Sequence, residues 1–361
     1  MSVLARTSRR KLELSLTSQW FCRHRCKHGD GKGGRKSANS TESKFSKPNV
    51  KSSINEFALS KCSKYISGFA NVLESKFPRA MKVYRIFTVG TKDLVKDFKE
   101  YYQLSQKVNN SPSGMKILRR RELELYFMMP KNLFRLTPLI IFAPIPFSNY
   151  LVFPLALMFP KYLLTTHYWS LQQRAQFALD DHKRRLQSYE HVFNCLQEKA
   201  SQLKCDVNLK KMWTSALSDI GAGLQPPAQD ITACSILFSK PPYNLKSLQS
   251  SHLKNLLKIH NMHSGWRKRA RLTKRAKIIH LLDEAIRREG GAEALNSDEL
   301  KWACFFRGLN PINLKNDELV SWLNQWVKVS EKIDVNSYSL LLHNPVLLAY
   351  NLPSNWFLLK S

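Results

Sequence analysis

The sequence predicts an all-α protein in which a single transmembrane helix precedes a soluble helical domain. Three observations support this fold class. The stretch Leu136–Pro160 contains no Asp, Glu, Lys, Arg or His. Elsewhere, apolar residues recur at steps of three and four, which is the period of an amphipathic helix. No part of the sequence shows the sustained alternation of apolar and polar residues, bounded by turns, that indicates a half-buried strand.

The chain is long and strongly basic. It has 361 residues, and its 57 Lys and Arg against 27 Asp and Glu give a formal net charge of +30. This length allows two or three domains. Both halves are basic, which predicts acidic partner surfaces such as anionic lipid, RNA or an acidic protein face. Seven cysteines are scattered without a paired framework, as is typical of reduced thiols inside the cell.

The apolar stretch has the length of a membrane span. As one helix it would be about as long as the hydrocarbon core of a bilayer is thick, roughly 30 Å. We assign residues 133–164 to the transmembrane segment. Its five prolines are tolerated better in a membrane helix than in a soluble one, because neighbouring helices satisfy the freed carbonyl groups. The alternative is a buried hairpin of two short apolar helices, broken near Pro144 and Pro146.

Residues 1–53 are predicted to be a mitochondrial presequence. They are rich in Arg and Ser, poor in acidic residues and without a long apolar segment, which is typical of such presequences. A disordered basic tail is the alternative. This segment contains Cys22, His24, Cys26 and His28, but their spacing and the lack of a second half-site argue against zinc. No metal or cofactor is predicted.

Residues 54–132 are predicted to form amphipathic helices ahead of the membrane segment. One helical pattern ends before Pro78, and a second runs from Val83 to Tyr101. This pair either lies on a membrane surface or packs on itself. A polar turn over residues 109–114 precedes a third helical pattern, which continues into the apolar stretch.

Residues 165–361 are predicted to form the soluble helical domain. Ser170 is suited to cap its first helix, and Gly221 follows a later one. Asn296 opens a helix with a capping-box pattern, and Gly308 ends that helix. This helix and the Trp-rich helix after it predict a tight αα-hairpin, in which the tryptophans and the single cysteine belong to the core.

The densest run of positive charge lies within residues 267–277 of this domain and continues into a helical pattern. Seven residues are our candidates for binding an anionic partner: Arg267, Lys268, Arg269, Arg271, Lys274, Arg275 and Lys277. The phosphates of rRNA or of anionic lipid are bound mainly through charge, so such a run suits either. A solvated helix face and a nuclear localisation signal are the alternatives.

No motif indicates an enzyme. The sequence has no phosphate-binding loop, no set of metal ligands at a usual spacing and no nucleophile motif. His343, in the segment SLLLH, is isolated, and we interpret it as a core or capping residue. We therefore predict a non-enzymatic protein without catalytic residues.

Four segments taken together resemble one family. In chain order they are PFSNYLVFPLALMFPKYLL, LKWACFFRGLN, ELVSWLNQWV and YSLLLH. They resemble the leucine-zipper/EF-hand transmembrane (LETM) family of mitochondrial membrane proteins over about residues 115–348. The resemblance implies the mitochondrial inner membrane, one transmembrane helix and a matrix-facing, ribosome-binding-like LETM domain arranged similarly to 14-3-3 proteins. It also implies roles in mitochondrial shape, cation homeostasis and the membrane insertion of new proteins.

The chain departs from this family in two respects. Where longer members carry an acidic residue inside the membrane segment, this chain has Ser148 and Asn149. An amide cannot exchange a proton, which argues against cation/proton exchange. Asn149 is predicted to hydrogen-bond another helix, and a pore-lining role in a homo-oligomer is the alternative. The EF-hand pattern and the long coiled coil are absent from this sequence, so calcium sensing is not predicted.

Two functions agree with these observations. The first is a membrane-anchored scaffold that supports mitochondrial structure and docks assembly partners or mitochondrial ribosomes, through rRNA or a ribosomal protein. The second is a cation transporter or transporter subunit. The positive-inside rule would put the N-terminal side in the matrix, whereas the resemblance puts the C-terminal domain there. An outer-membrane location and a nuclear pool remain alternatives to the inner membrane.

Overall fold

The structure is a computed structural model, and it describes residues 78–142, 145 and 148–360. The predicted presequence, with its four candidate zinc ligands, and the helical pattern before Pro78 lie outside these residues. Every regular element within them is a helix, as predicted. The α-helices are α1 (Pro78–Asn110), α2 (Arg120–Phe142), α3 (Ser148–Met158), α4 (Pro160–Leu163), α5 (Leu171–Leu186), α6 (Tyr189–Ala200), α7 (Val207–Gly221), α8 (Ala228–Ala233), α9 (Ser250–Ile259), α10 (Lys268–Arg288), α11 (Ser297–Arg307), α12 (Asn316–Glu331), α13 (Tyr338–Ala349) and α14 (Pro353–Lys360).

Local sequence sets the ends of several helices. Ser170 caps α5, because its hydroxyl accepts from the backbone N–H of Gln173 at 3.2 Å and the Gln173 side chain accepts from the backbone N–H of Ser170 at 2.9 Å. Asn296 and Glu299 form the same capping box at α11. That helix ends at Gly308, whose φ of 109° suits glycine. These helix ends confirm the predictions made from the sequence.

Helix α13 is the centre of the main core. All of its residues are buried, and α6, α9, α10 and α12 pack around it. Its sequence, YSLLLHNPVLLA, is apolar on nearly every side, which suits a helix without a solvent-facing side. Each fully buried leucine contributes about 1.5–3 kcal/mol to stability. Helices α6, α9, α10 and α12 therefore assemble around this one.

The αα-hairpin and its core residues are as predicted. Helices α11 and α12 pack together, and Cys304, Trp322 and Trp326 are buried between them and their neighbours. His343 on α13 is also fully buried, which agrees with the first of its two interpretations, as a core or a capping residue. Its Nε2 lies 2.8 Å from Nε2 of His252, a partner that the sequence did not predict.

The apolar stretch Leu136–Pro160 is divided among three helices. Helix α2 ends at Phe142, α3 begins at Ser148 and α4 begins at Pro160. Among the described residues, no helix combines the length and the apolarity needed to cross a bilayer. The division differs from the single continuous helix that we expected over residues 133–164. Proline removes a backbone donor and clashes with the preceding turn, and the sequence has prolines at both boundaries.

These three helices bury one side and expose the other. On the inner side, Ala156 and Leu164 pack with Trp169 in a small separate core. The outer side exposes large apolar side chains, which include Phe134, Ile140, Ile141, Met158 and Tyr162. The alternative prediction was a buried hairpin of two short apolar helices. The break between α2 and α3 agrees with it, but the exposure of these apolar side chains does not.

Arg120 fixes the start of α2 against α10 and α11. Its side chain is buried, and its Nη2 lies 2.6 Å from Oε1 of Glu299 on α11. Its backbone N–H donates to Oε1 of Glu289, just after α10, at 2.6 Å. In the same region Arg288 donates to the carbonyl of Leu118 at 2.6 Å. The helix that carries the exposed apolar side chains is therefore held firmly on α10 and α11.

Candidate anionic-partner interface

The basic run lies at the start of α10, and the apolar residues of that helix decide which cations face the interior. Leu272, Ala276 and Ile279 are buried against the neighbouring helices. Their spacing of four and three residues defines the buried side of α10. Arg267 precedes the helix in a left-handed conformation with a φ of 55°. The seven candidate cations fall into three groups according to what their side chains contact.

Three candidates hold the start of α10 in place. Lys268 Nζ donates to a hydroxyl in the first turn of α9 at 2.7 Å. Arg269 donates to the backbone carbonyl of Leu248 at 3.0 Å, and Arg271 donates to that of His263 at 2.7 Å. These side chains are engaged by the protein itself, so their first role is to position the helix.

Arg275 turns toward the interior. Its Cζ lies 4.0 Å from the centroid of the Phe306 ring, and its Nε is buried without a hydrogen-bond partner in the described part of the chain. Burial, and then the nearby charges of Arg185 and Arg307, lower the pKa of Arg275 to about 9. The guanidinium therefore stays charged at neutral pH.

The remaining three candidates are free to meet a partner. Arg267, Lys274 and Lys277 are exposed, and none of their side chains bonds to another residue within the described ranges. Lys274 and Lys277 lie one turn apart on the outer side of α10. Trp266, next to Arg267, is 93% exposed. Cations that contact phosphates beside an aromatic ring that stacks on bases are a usual combination for binding RNA.

The second candidate position, Asn149, lies within α3, but its side chain is outside the described residues. Its hydrogen bond to another helix therefore stays a prediction. Within the described ranges, no group of three or more His, Cys, Asp or Glu side chains is arranged to hold a metal ion. The free cysteines in those ranges are Cys195, Cys205, Cys234 and Cys304.

Sequence reasoning missed the buried charges beneath this surface. Arg185 on α5 is buried and donates to the carbonyls of Ile259 at 2.6 Å and Phe305 at 3.0 Å. Arg307 on α11 donates through Nε to Oδ1 of the buried Asp283 at 2.9 Å. The partners of Arg185 lie 74 and 120 positions away along the chain, so no local pattern could have revealed them.

The fold and the surface together define an all-α protein whose basic helical domain is joined to helices with exposed apolar side chains. The chain belongs to the family described as "LETM1-like, RBD", whose model matches residues 118–347. This match confirms the resemblance to the LETM family. Neither that description nor the names of the relatives below state an enzymatic activity.

Three relatives carry the name LETM1 domain-containing protein 1. The protein of Homo sapiens is 32% identical over 292 residues, which cover 80% of this chain and 81% of that protein. The protein of Bos taurus is 31% identical over 309 residues, covering 84% and 85%. The protein of Xenopus tropicalis is 30% identical over 286 residues, covering 78% and 81%. The likeness therefore extends over most of both chains in each comparison.

Proposed function

We propose that this protein is a non-enzymatic scaffold of the mitochondrial inner membrane that docks ribosomes or assembly partners through α10. The observation that carries the proposal is the set of exposed cations Arg267, Lys274 and Lys277, together with the exposed Trp266 next to Arg267. The family description "RBD" and the resemblance to ribosome-binding-like domains support a ribosomal partner. rRNA is the main source of phosphate on such a partner, and exposed cations bind phosphates through charge.

The anchoring bonds favour this role. Because Lys268, Arg269 and Arg271 hold the start of α10, the helix needs no further ordering when it meets a partner. Binding then loses less conformational entropy than it would with a mobile basic tail. The positively charged side of α10 is in this sense preorganised.

Exposed apolar side chains on α2, α3 and α4 support the membrane attachment. A contiguous apolar surface on a soluble protein is unusual, and such surfaces mark contacts with membranes or with other proteins. Phe134, Ile140 and Met158 are all exposed here, on helices that pack together. The aromatic Tyr162 beside Lys161 is typical of the level at which lipid headgroups meet the hydrocarbon.

We expect the protein to stay in the membrane pellet when mitochondria are extracted with alkaline carbonate. Carbonate removes proteins held by charge alone, whereas apolar side chains inserted into the bilayer remain there. Immunoblots of pellet and supernatant measure the result, with a matrix protein as the soluble control. Complete release into the supernatant would contradict the membrane attachment.

Neutralising the free cations is expected to weaken ribosome binding. The triple substitution Arg267→Gln, Lys274→Gln and Lys277→Gln should lower the affinity on the order of 10- to 100-fold near physiological salt, because fewer counterions are released when fewer phosphates are neutralised. It should also reduce the slope of log affinity against log salt by about 0.7–0.9 for each phosphate that the variant leaves unneutralised. Co-sedimentation of the full chain with mitochondrial ribosomes over a range of salt measures both.

A matched variant separates this effect from a general loss of charge. Lys211, Lys328 and Lys332 are also exposed, and they lie on α7, on α12 and at its end. Their triple substitution by Gln removes the same charge and should leave the salt slope nearly unchanged. Equal binding by both triple variants would overturn the assignment of α10 as the docking helix.

A further inference from the structure

A second cluster of cations lies where α2 packs along α10, on the side of the domain that faces the apolar helices. Lys131 and Arg135 are one turn apart on α2, and Arg275 on α10 is close enough to act electrostatically on Lys131. Lys131 is exposed at the surface. Partial desolvation of its ammonium, followed by the charges of Arg135 and Arg275, lowers the pKa of Lys131.

The nearby carboxylate does not balance this charge. Asp181 acts on both Lys131 and Arg135. Its Oδ1 lies 2.6 Å from Nζ of Lys161, and its Oδ2 accepts from Nδ2 of Asn261 at 3.0 Å. Both carboxylate oxygens of Asp181 therefore already have partners other than Lys131 and Arg135. The cluster has an excess of positive charge.

The geometry of Arg275 leaves it able to bind an anion. Its guanidinium lies over the face of Phe306, with Cζ 4.0 Å from the ring centroid. A guanidinium stacked in this way keeps its N–H donors in its own plane, pointing away from the ring. Within the described residues no carbonyl or carboxylate accepts a hydrogen bond from it. Phosphate and carboxylate oxygens are the acceptors that suit such a fork of donors.

Apolar side chains continue directly from this cluster. Phe134, the neighbour of Arg135, is 79% exposed, and Ile140 and Ile141 are exposed further along α2. A free phosphate ion would gain nothing from these side chains, whereas the acyl chains of a lipid would pack along them. Charge beside a continuous apolar surface is the pattern that recognises an anionic lipid.

We infer that Lys131, Arg135 and Arg275 form a binding site for the phosphate group of an anionic phospholipid, whose acyl chains lie along the exposed apolar side of α2. The inference rests on the membrane attachment proposed above. It adds a specific headgroup site, distinct from the outward-facing cations of α10 that are assigned to the docking partner. One helix, α10, thereby contributes to both surfaces.

The test is thermal unfolding of the full chain in a neutral detergent, titrated with one ligand at a time. Phosphatidylglycerol is expected to raise the midpoint temperature saturably, because a ligand that binds only the folded chain stabilises it. Phosphatidylcholine, whose headgroup is neutral overall, should raise it little, and inorganic phosphate at the same concentration should raise it little. An equal shift with inorganic phosphate would overturn the assignment to lipid, and an equal shift with phosphatidylcholine would overturn the anion site.

Single substitutions locate the site. Lys131→Gln and Arg275→Gln should each weaken the apparent affinity for phosphatidylglycerol on the order of tenfold, which is the usual effect of losing one charge-assisted hydrogen bond. Lys328→Gln, which removes the same charge from an exposed position on α12, should have no such effect. Lys131 is exposed, so its variant is expected to fold even if Arg275→Gln does not. Equal affinities for Lys131→Gln and Lys328→Gln would overturn the proposal.

Flotation with vesicles separates this inference from the membrane attachment on which it rests. Full chain that floats with phosphatidylcholine vesicles, and more strongly with vesicles that are roughly one quarter phosphatidylglycerol, supports both. Chain that floats equally with the two vesicle types is attached to the membrane but lacks the headgroup site, which overturns the inference alone. Chain that floats with neither overturns the attachment and the inference together.

Discussion

Replacing Asp283 with alanine is expected to lower the free energy of unfolding by about 3–5 kcal/mol, because it leaves a buried guanidinium without its counter-charge. The carboxylate of Asp283 is almost fully buried and accepts from Nε of Arg307 at 2.9 Å. Its other oxygen accepts from Nε1 of Trp326 at 3.0 Å. The pair therefore joins α10, α11 and α12 inside the core. Urea unfolding of the detergent-solubilised chain, followed by tryptophan fluorescence, measures the change.

Two further variants make this prediction specific. Glu331→Ala breaks the solvent-accessible pair between Arg287 and Glu331, whose atoms lie 3.1 Å apart, and should cost less than about 1 kcal/mol. The double substitution Asp283→Leu with Arg307→Met removes both buried charges and should recover much of the stability. If Asp283→Ala cost no more than Glu331→Ala, the buried pair would not have the role assigned to it.

Acidification below pH 6.5 is expected to destabilise the protein steeply, because several buried histidines must stay neutral in the folded state. Burial, which disfavours the charged ring, is the main reason why the pKa values of these histidines are low. The pKa is about 3 for His182, about 2 for His252 and about 4 for His343. The pKa of His260, which is also buried, lies well below its ordinary value.

The hydrogen bonds of the His252–His343 pair agree with two neutral rings. His343 Nδ1 lies 2.6 Å from the carbonyl of Ser339, which can only accept, so Nδ1 carries the proton. His343 Nε2 must then accept from Nε2–H of His252 across 2.8 Å. A second proton on His343 would leave the Nε2–H groups of both histidines facing each other, with no acceptor between them.

The direction of the pH effect follows from linkage. Above the unfolded-state pKa of about 6.5, these histidines are neutral in both states and the pH has no effect through them. Below it, the unfolded chain takes up protons that the folded chain excludes, so stability falls as the pH falls. Each such histidine contributes about 1.4 kcal/mol per pH unit, down to its own folded-state pKa near 4 or lower.

Unfolding free energies measured between pH 7 and pH 5 check this prediction. His182→Gln should make the dependence on pH shallower by about 1.4 kcal/mol per unit, because one excluded proton is removed. Gln can still form a hydrogen bond with Asn355, which lies 3.2 Å from Nε2 of His182. The exposed His191 provides the control, and His191→Gln should leave the slope unchanged. Identical slopes for the wild type and His182→Gln would contradict the prediction.

Features that depend on a few neighbouring residues were predictable. The capping boxes at Ser170 and Asn296 and the helix end at Gly308 each involve residues within one turn of one another. The burial of His343 agrees with its position in the apolar segment SLLLH. The family followed from four short segments read in order, and the match over residues 118–347 confirms it.

The candidate site was predictable only in part. Helical spacing from the buried Leu272 and Ile279 could have indicated that Arg275 turns inward, since it lies three residues after the first and four before the second. No such spacing could have shown that Arg269 is engaged by a distant carbonyl while Lys274 is free. Which cations bind the protein and which remain available depends on what packs beside them.

The helical class, several helix ends and the family could be predicted from the sequence, because these depend on side-chain type and on short-range spacing along the chain. Which positive charges are available became evident only from the packing of the helices. Arg267, exposed before α10, and Arg275, stacked on Phe306, have the same side chain and lie in the same run. The tertiary structure also showed the apolar stretch as separate helices with one exposed side. Hydropathy sums side chains along the chain, whereas burial depends on the backbone path and on partners far away in sequence.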